Sequence, residues 1–148
     1  MKLSTKSRYS TRAMLDLALH DGEGPQVLRD VAKRQDISVR YLENIMVLLM
    51  SSGLVKSTRG KLGWFQLARR PEEIRLSDIV SATEGSLAPV DCVDDPESCG
   101  RASECVACNI WTKLRDSIEA FLGSVSLADM REMHRERIDE LNSLMYYI

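Results

Sequence analysis

Leu28-Arg29-Asp30-Val31-Ala32-Lys33-Arg34-Gln35-Asp36-Ile37-Ser38-Val39-Arg40-Tyr41-Leu42-Glu43-Asn44 is the stretch that decides the fold. Leu28, Val31 and Ala32 fall on one side of a short helix over residues 28–35. Gln35-Asp36-Ile37 is a tight connection. Asp36 stands where a helix-turn-helix wants a left-handed residue, a conformation Asp tolerates less readily than Gly. Ser38 is a predicted N-cap, its hydroxyl free to accept a backbone N–H. Ile37 before it and Leu42 after it are spaced for a hydrophobic staple. The second helix runs through Leu42, Ile45, Met46 and Leu49 to Ser51-Ser52-Gly53, with Gly53 as the C′ residue.

The flanking sequence fits this centre. Ala13, Met14, Leu17 and Ala18 form the apolar stripe of a helix over residues 7–20, stopped by Gly22-Glu23-Gly24-Pro25. Leu54 to Thr58 and Trp64 to Leu67 read as the strands of a β-hairpin around Arg59-Gly60-Lys61-Leu62-Gly63. Helix, turn, capped helix and basic hairpin make a winged helix-turn-helix. Beyond Pro71 a short helix is predicted over 76–83, carried by Leu76, Ile79 and Val80. A cysteine-bearing loop follows over 85–107. Ile110, Trp111, Leu114, Ile118, Phe121 and Leu122 then share one helical face, and a last periodic run covers 126–147. The expected protein is mainly α with a small β-hairpin wing. Its parts are a DNA-binding domain at 1–83, a cysteine-rich loop at 84–109, and a long dimerisation helix with a helical tail at 110–148.

Charge divides the chain in the same way. The net charge of −2 is the sum of +7 over residues 1–70, from 13 Lys/Arg and 6 Asp/Glu, and −9 over residues 71–148, from 7 and 16. A basic first half suits a polyanion. The start of the second helix points into the major groove in such a fold. Ser38, Arg40, Tyr41, Glu43 and Asn44 lie in and around its first turns. Arg can pair with guanine, Asn with adenine, and Glu can accept from cytosine. Arg59 and Lys61 at the hairpin tip suit a minor groove or backbone. Lys2, Lys6 and Arg8 could neutralise phosphates, making binding salt-dependent. The expected partner is double-stranded promoter DNA.

All four cysteines lie together, Cys92-x6-Cys99-x5-Cys105-x2-Cys108, in a stretch rich in Asp, Glu, Ser and Gly. The sequence has no secretory-type apolar leader and no run able to cross a bilayer, so a cytoplasmic, reducing setting is expected. There, clustered thiols are metal ligands or redox groups. Soft thiolates bind iron–sulfur clusters, zinc or copper(I). Only Cys105 and Cys108 have the close spacing of a zinc knuckle, and the wider gaps let the loop wrap a larger object. An iron–sulfur cluster, a metal-free thiol switch and structural zinc all remain open on spacing alone. Asp91, Asp94, Asp95 and Glu104 read as solubilising residues, and His20 and His134 as surface residues. No phosphate loop, Ser/His/Asp set or placed acid pair is present, so no enzyme is expected.

Met1 to Tyr9, Ala13-Met14-Leu15-Asp16, Ile37 to Glu43, Gly53-Leu54-Val55, Arg59-Gly60, the cysteine loop and Trp111 together resemble bacterial iron–sulfur cluster regulators of the IscR type. The wider family includes the nitric oxide-sensing NsrR and cysteine-metabolism CymR regulators. The resemblance runs from residue 1 to about 128. It implies a winged-helix homodimer, with a helix from about Ile110 crossing to the partner subunit. It implies cluster ligation by Cys92, Cys99, Cys105 and Cys108, with a 2Fe–2S centre favoured over 4Fe–4S. It also implies control of cluster-assembly genes, with cluster state altering DNA affinity or sequence choice. A metal-free thiol-redox or nitric oxide-responsive repressor of the same family is the alternative.

The chain departs from that pattern in several places. IscR-type proteins supply three Cys and a His; here Cys108 occupies the fourth position, and the first gap is one residue longer. The glycine-rich wing tip is replaced by Lys61-Leu62-Gly63-Trp64-Phe65. Arg8 stands where NsrR-type proteins carry an Asp ligand. The tail from Arg131 onward lies beyond the resemblance.

Overall fold

The computed structural model describes residues 2–58 and 63–147. Helix α1 (Thr5–Leu19) begins two residues before its apolar stripe predicts, because Ser4 caps it: the Ser4 hydroxyl accepts from the Ser7 N–H at 3.1 Å. A two-residue strand β1 (Gln26–Val27) leads into α2 (Leu28–Gln35), followed by α3 (Val39–Ser51). The two helices end in the same way. Asp36 takes φ 51°, ψ 52°, and the N–H groups of Asp36 and Ile37 reach back to Lys33 and Ala32. Gly53 takes φ 69°, and the N–H groups of Gly53 and Leu54 reach back to Met50 and Leu49. Both are Schellman closures, which satisfy carbonyls that a helix end leaves orphaned. Asp36 is the one non-glycine residue with positive φ among the described residues. Ser38 caps α3 by accepting from the Tyr41 N–H.

Strands β2 (Val55–Ser57) and β3 (Trp64–Leu67) form the antiparallel hairpin, with Val55 opposite Leu67 and Ser57 opposite Phe65. The hairpin is not alone. β1 pairs with the outer side of β3, Gln26 opposite Phe65, so the sheet has three strands in the order β1-β3-β2. Two residues after a proline carry no alternation to reveal a strand. The sheet closes one side of a core in which Met14, Leu42, Ile45, Met46, Leu49, Leu54 and Ile79 are fully buried. Each such side chain contributes about 1.5–3 kcal/mol relative to exposure. The hairpin tip, with Arg59 and Lys61, lies outside the described residues.

Helix α4 (Leu76–Glu84) packs on α1. The segment after it is less of a loop than its composition suggests. It contains a single helical turn α5 (Asp91–Asp94) and two 3₁₀ turns, Pro96–Ser98 and Ala102–Glu104. Helix α6 (Val106–Ser124) starts four residues before Ile110, so Cys108 belongs to its first turn. The expected single apolar face of α6 is split. Leu122 and Ile118 pack against Val80 and Leu87, while Ile110, Trp111, Leu114 and Phe121 face outward. Helix α7 (Leu127–Met145) turns back onto α1 through a Ser126/Asp129 capping box. The Leu127 N–H donates to Ile74 at 2.8 Å and the Leu76 N–H to Val125 at 2.9 Å. Leu127 is fully buried, whereas residues 135–147 stand clear of the body. No described helix is long and apolar enough to cross a membrane.

Candidate DNA-reading face and cysteine site

The Ser38 cap and the Schellman turn at Asp36 set where α3 emerges from the core. Leu42, Ile45, Met46 and Leu49 anchor its inner side. Arg40, Glu43 and Asn44 are then left together on the outer side, all exposed. Among the described residues none of these three side chains has a hydrogen-bond or ion-pair partner. Tyr41 differs. It is half-buried, its ring meeting Tyr9 edge-to-face at 5.8 Å and 86°, and the Arg12 guanidinium lies 5.4 Å from the Tyr9 ring centre. Tyr41 therefore joins α3 to α1 and fixes how the outer side of α3 is presented.

Behind this face is a network that sequence reading missed. Asp16 is only 2% exposed. Its carboxylate accepts from Arg34 Nε at 3.0 and 3.2 Å, from Arg34 Nη2 at 2.6 Å, and from Gln35 Nε2 at 2.9 Å. The hydrogen bond to Asp16 holds the Arg34 guanidinium above its ordinary pKa. Arg12 closes the chain by donating to the Gln35 side chain and backbone carbonyl. His20 is not a free surface residue: its Nδ1 lies 2.8 Å from the Asp16 carbonyl and 3.6 Å from the Asp16 carboxylate. His134 is half-buried on α7. A charged residue within an apolar stripe was the available signal at Asp16.

Lys2, Lys6 and Arg8 are exposed beside the start of α1, and Arg8 also donates to the Thr5 hydroxyl at 3.2 Å. The Ser4 N–H donates to Glu84 Oε1 at 2.6 Å across 80 residues of sequence. Burial pushes the Glu84 carboxyl up, but the hydrogen bond from Ser4 and the charge of Lys6 hold it below its ordinary value. Glu84 is the last residue before the cysteine segment, so the basic N-terminus and the root of that segment are tied together.

The four thiols occupy unequal places. Cys92 sits on α5, Cys99 is exposed after the first 3₁₀ turn, Cys105 precedes α6, and Cys108 is buried within it. The Cys108 thiol donates to the Cys92 carbonyl at 3.5 Å. The Cys92 thiol is pushed up, first by its hydrogen bond with Cys108, then by burial, then by the fields of Cys108, Cys99 and Cys105. Cys92, Cys99 and Cys108 line one open cavity of about 620 Å³ with Pro96, Gly100 and Asn109. Arg115 on α6 lies 3.8 Å from Asp94 and also pairs with Asp116. Asp94 accepts from Ser86, and Asp95 caps the first 3₁₀ turn through the Glu97 N–H, so both do more than solubilise the segment. Among the described residues no three Cys, His, Asp or Glu side chains stand close enough to hold a metal ion as placed. The donor set suits a soft metal group, but the thiols must draw closer together for it to close.

The winged-helix fold agrees with comparisons to known proteins. The sequence matches Rrf2, the iron-dependent transcriptional regulator family, over residues 3–133. The chain belongs to the Rrf2 family. The protein rrf2 of Nitratidesulfovibrio vulgaris is 41% identical over 130 residues, 88% of this chain and 87% of its own length. CymR of Bacillus subtilis is 35% identical over 148 residues, the whole of both chains, tail included. The structure of T. potens IscR superposes with a TM-score of 0.74 at 41% identity, covering 93% of this chain and 90% of that one. This member of the family is accordingly a winged-helix transcriptional regulator and not an enzyme.

Proposed function

We propose that this protein is a cytoplasmic, homodimeric regulator that binds promoter DNA through α3 and senses an iron–sulfur cluster held by its cysteine segment. Cys92, Cys99, Cys105 and Cys108 would hold the cluster, 2Fe–2S rather than 4Fe–4S, and cluster-assembly genes are the expected targets. An iron–sulfur centre supplies a group that oxidants, nitric oxide or iron shortage can remove. The observation that carries this reading is four thiols on a segment whose root, Glu84, is bonded to the N-terminus of the DNA-binding unit. Drawing the four thiols together would order residues 92–108 against α6. The Asp94–Arg115 and Glu84–Ser4 links would pass that order to α1, and Tyr9 would pass it to Tyr41 on α3. DNA affinity then follows from a population shift between two arrangements. The outward face of α6, with Ile110, Trp111, Leu114 and Phe121, is the expected partner contact.

The test is DNA retardation with anaerobically reconstituted protein. Replacing Cys92, Cys99 and Cys105 by Ala should abolish the visible spectrum and change promoter affinity. Unchanged affinity would show that the segment is not coupled to DNA. A second reading, a metal-free thiol switch, rests on the contact between Cys92 and Cys108. Iron and sulfide assays on anaerobically purified protein separate the two: both present for the cluster, neither for the switch.

A further inference from the structure

We infer that Val47 is a specificity-determining residue that contacts the C5-methyl group of a thymine in the major groove. The inference rests on α3 being the recognition helix, as proposed above.

Among the described residues up to Glu84, three large apolar side chains are exposed: Leu3, Val39 and Val47. Two of them are on α3, and Val47, at 59%, is the most exposed of the three. A lone exposed valine is ordinary on a protein surface, but its placement here is not arbitrary. With 3.6 residues per turn, Val47 lies roughly 20° from Arg40 around the helix. Asn44 and Glu43 lie about 40° and 60° to either side of Arg40. Val47 therefore lies within the angular span of the reading face, one turn beyond Glu43 and Asn44 toward the C-terminal end of α3. It is about 10 Å beyond Arg40 along the helix axis, equivalent to about three base pairs of duplex.

The chemistry completes what the polar residues lack. Arg40, Glu43 and Asn44 offer partners for guanine, cytosine and adenine edges, and thymine is distinguished in the major groove by its methyl group, which an apolar side chain recognises. Val47 gains nothing from the core, and a β-branched residue is a weaker helix former than Ala, Lys or Glu. The Val47 methyl groups give the face an apolar contact at its C-terminal end, which water would otherwise cover at a cost.

The experiment uses the full chain, purified anaerobically, and a randomised duplex DNA library. Wild-type protein should enrich a thymine at one fixed position per half-site, and Val47→Ser should lose that preference while keeping the others. In the enriched duplex, uracil at that position removes only the methyl group. It should weaken wild-type binding about fourfold and leave Val47→Ser binding unchanged. Val47→Thr, which keeps the branched shape and one methyl, should fall between. Equal wild-type affinity for the thymine and uracil duplexes, or a thymine preference that survives in Val47→Ser, overturns the inference. Arg40→Ala separates the two levels. Loss of its own base preference, together with thymine preference in Val47→Ser, refutes Val47 alone. Full retention of wild-type enrichment by Arg40→Ala, or no enrichment by wild type, refutes α3 as the reading helix and Val47 with it.

Discussion

Replacing Arg34 by Ala should destabilise the DNA-binding unit far more than its position near the surface suggests. The Arg34 side chain is 34% exposed, but its partner Asp16 is 2% exposed. Three of the four side-chain hydrogen bonds that reach the Asp16 carboxylate from Arg34 and Gln35 come from Arg34. Without Arg34, Asp16 keeps one bond from Gln35 and a distant His20. Breaking a fully buried pair from one side costs about 3–5 kcal/mol, because a charge is left uncompensated. Water reaches the outer part of Arg34, so about 2–3 kcal/mol is expected here. Arg34→Lys should recover only part, since an ammonium cannot reproduce the bidentate fork. Urea unfolding of the wild type, Arg34→Ala, Asp16→Ala and the double variant gives the coupling directly. The double variant should be less destabilised than the sum of the singles by more than about 1 kcal/mol. A loss below about 0.5 kcal/mol in Arg34→Ala, or coupling near zero, would refute the reasoning, for Asp16 would then be solvated in solution.

Gly53→Ala should cost about 1 kcal/mol in the same assay, entirely from backbone strain, because φ is 69° and nothing lies within 4 Å of the added Cβ. Leu127→Ala should cost about 2–5 kcal/mol by opening a cavity where α7 meets α1, seen as a lower urea midpoint. Asp129 is held below the ordinary carboxylate value, first by the Ser126 N–H and then by the Ser126 hydroxyl. Its contribution is therefore present above the unfolded pKa of about 4 and lost as pH falls through the lower folded value. Asp129→Asn should be less stable than wild type at pH 7, and thermal unfolding should show the gap narrowing as pH falls below about 4.

Where one turn of backbone holds the whole interaction, sequence reading succeeded. The Ser38 cap, the left-handed Asp36 and the Gly53 closure each involve partners no more than five residues apart. The core faces of α1, α2 and α3 follow from periodicity for the same reason. The start of α6 was placed too late because Val106 and Cys108 sit inside a stretch whose polar, cysteine-rich composition masks the helical repeat. β1 was missed because a strand of two residues has no period to detect. The polar set Arg40, Glu43 and Asn44 was legible as residue types, and the structure leaves all three exposed on α3. Tyr41 also packs on Tyr9, which only a contact across 32 residues reveals.

By itself, then, the sequence determined a winged helix-turn-helix, a basic first half and a segment of four thiols. Tertiary structure decided what connects them. Asp16 meets Arg34, Ser4 meets Glu84, and Cys92 meets Cys108 at separations of 18, 80 and 16 residues. Local rules cannot assign such pairs, because each depends on which helix faces pack together, and packing is settled by the burial of the entire apolar set at once. The same packing leaves Val47 outside the core, on the same side of α3 as Arg40, Glu43 and Asn44.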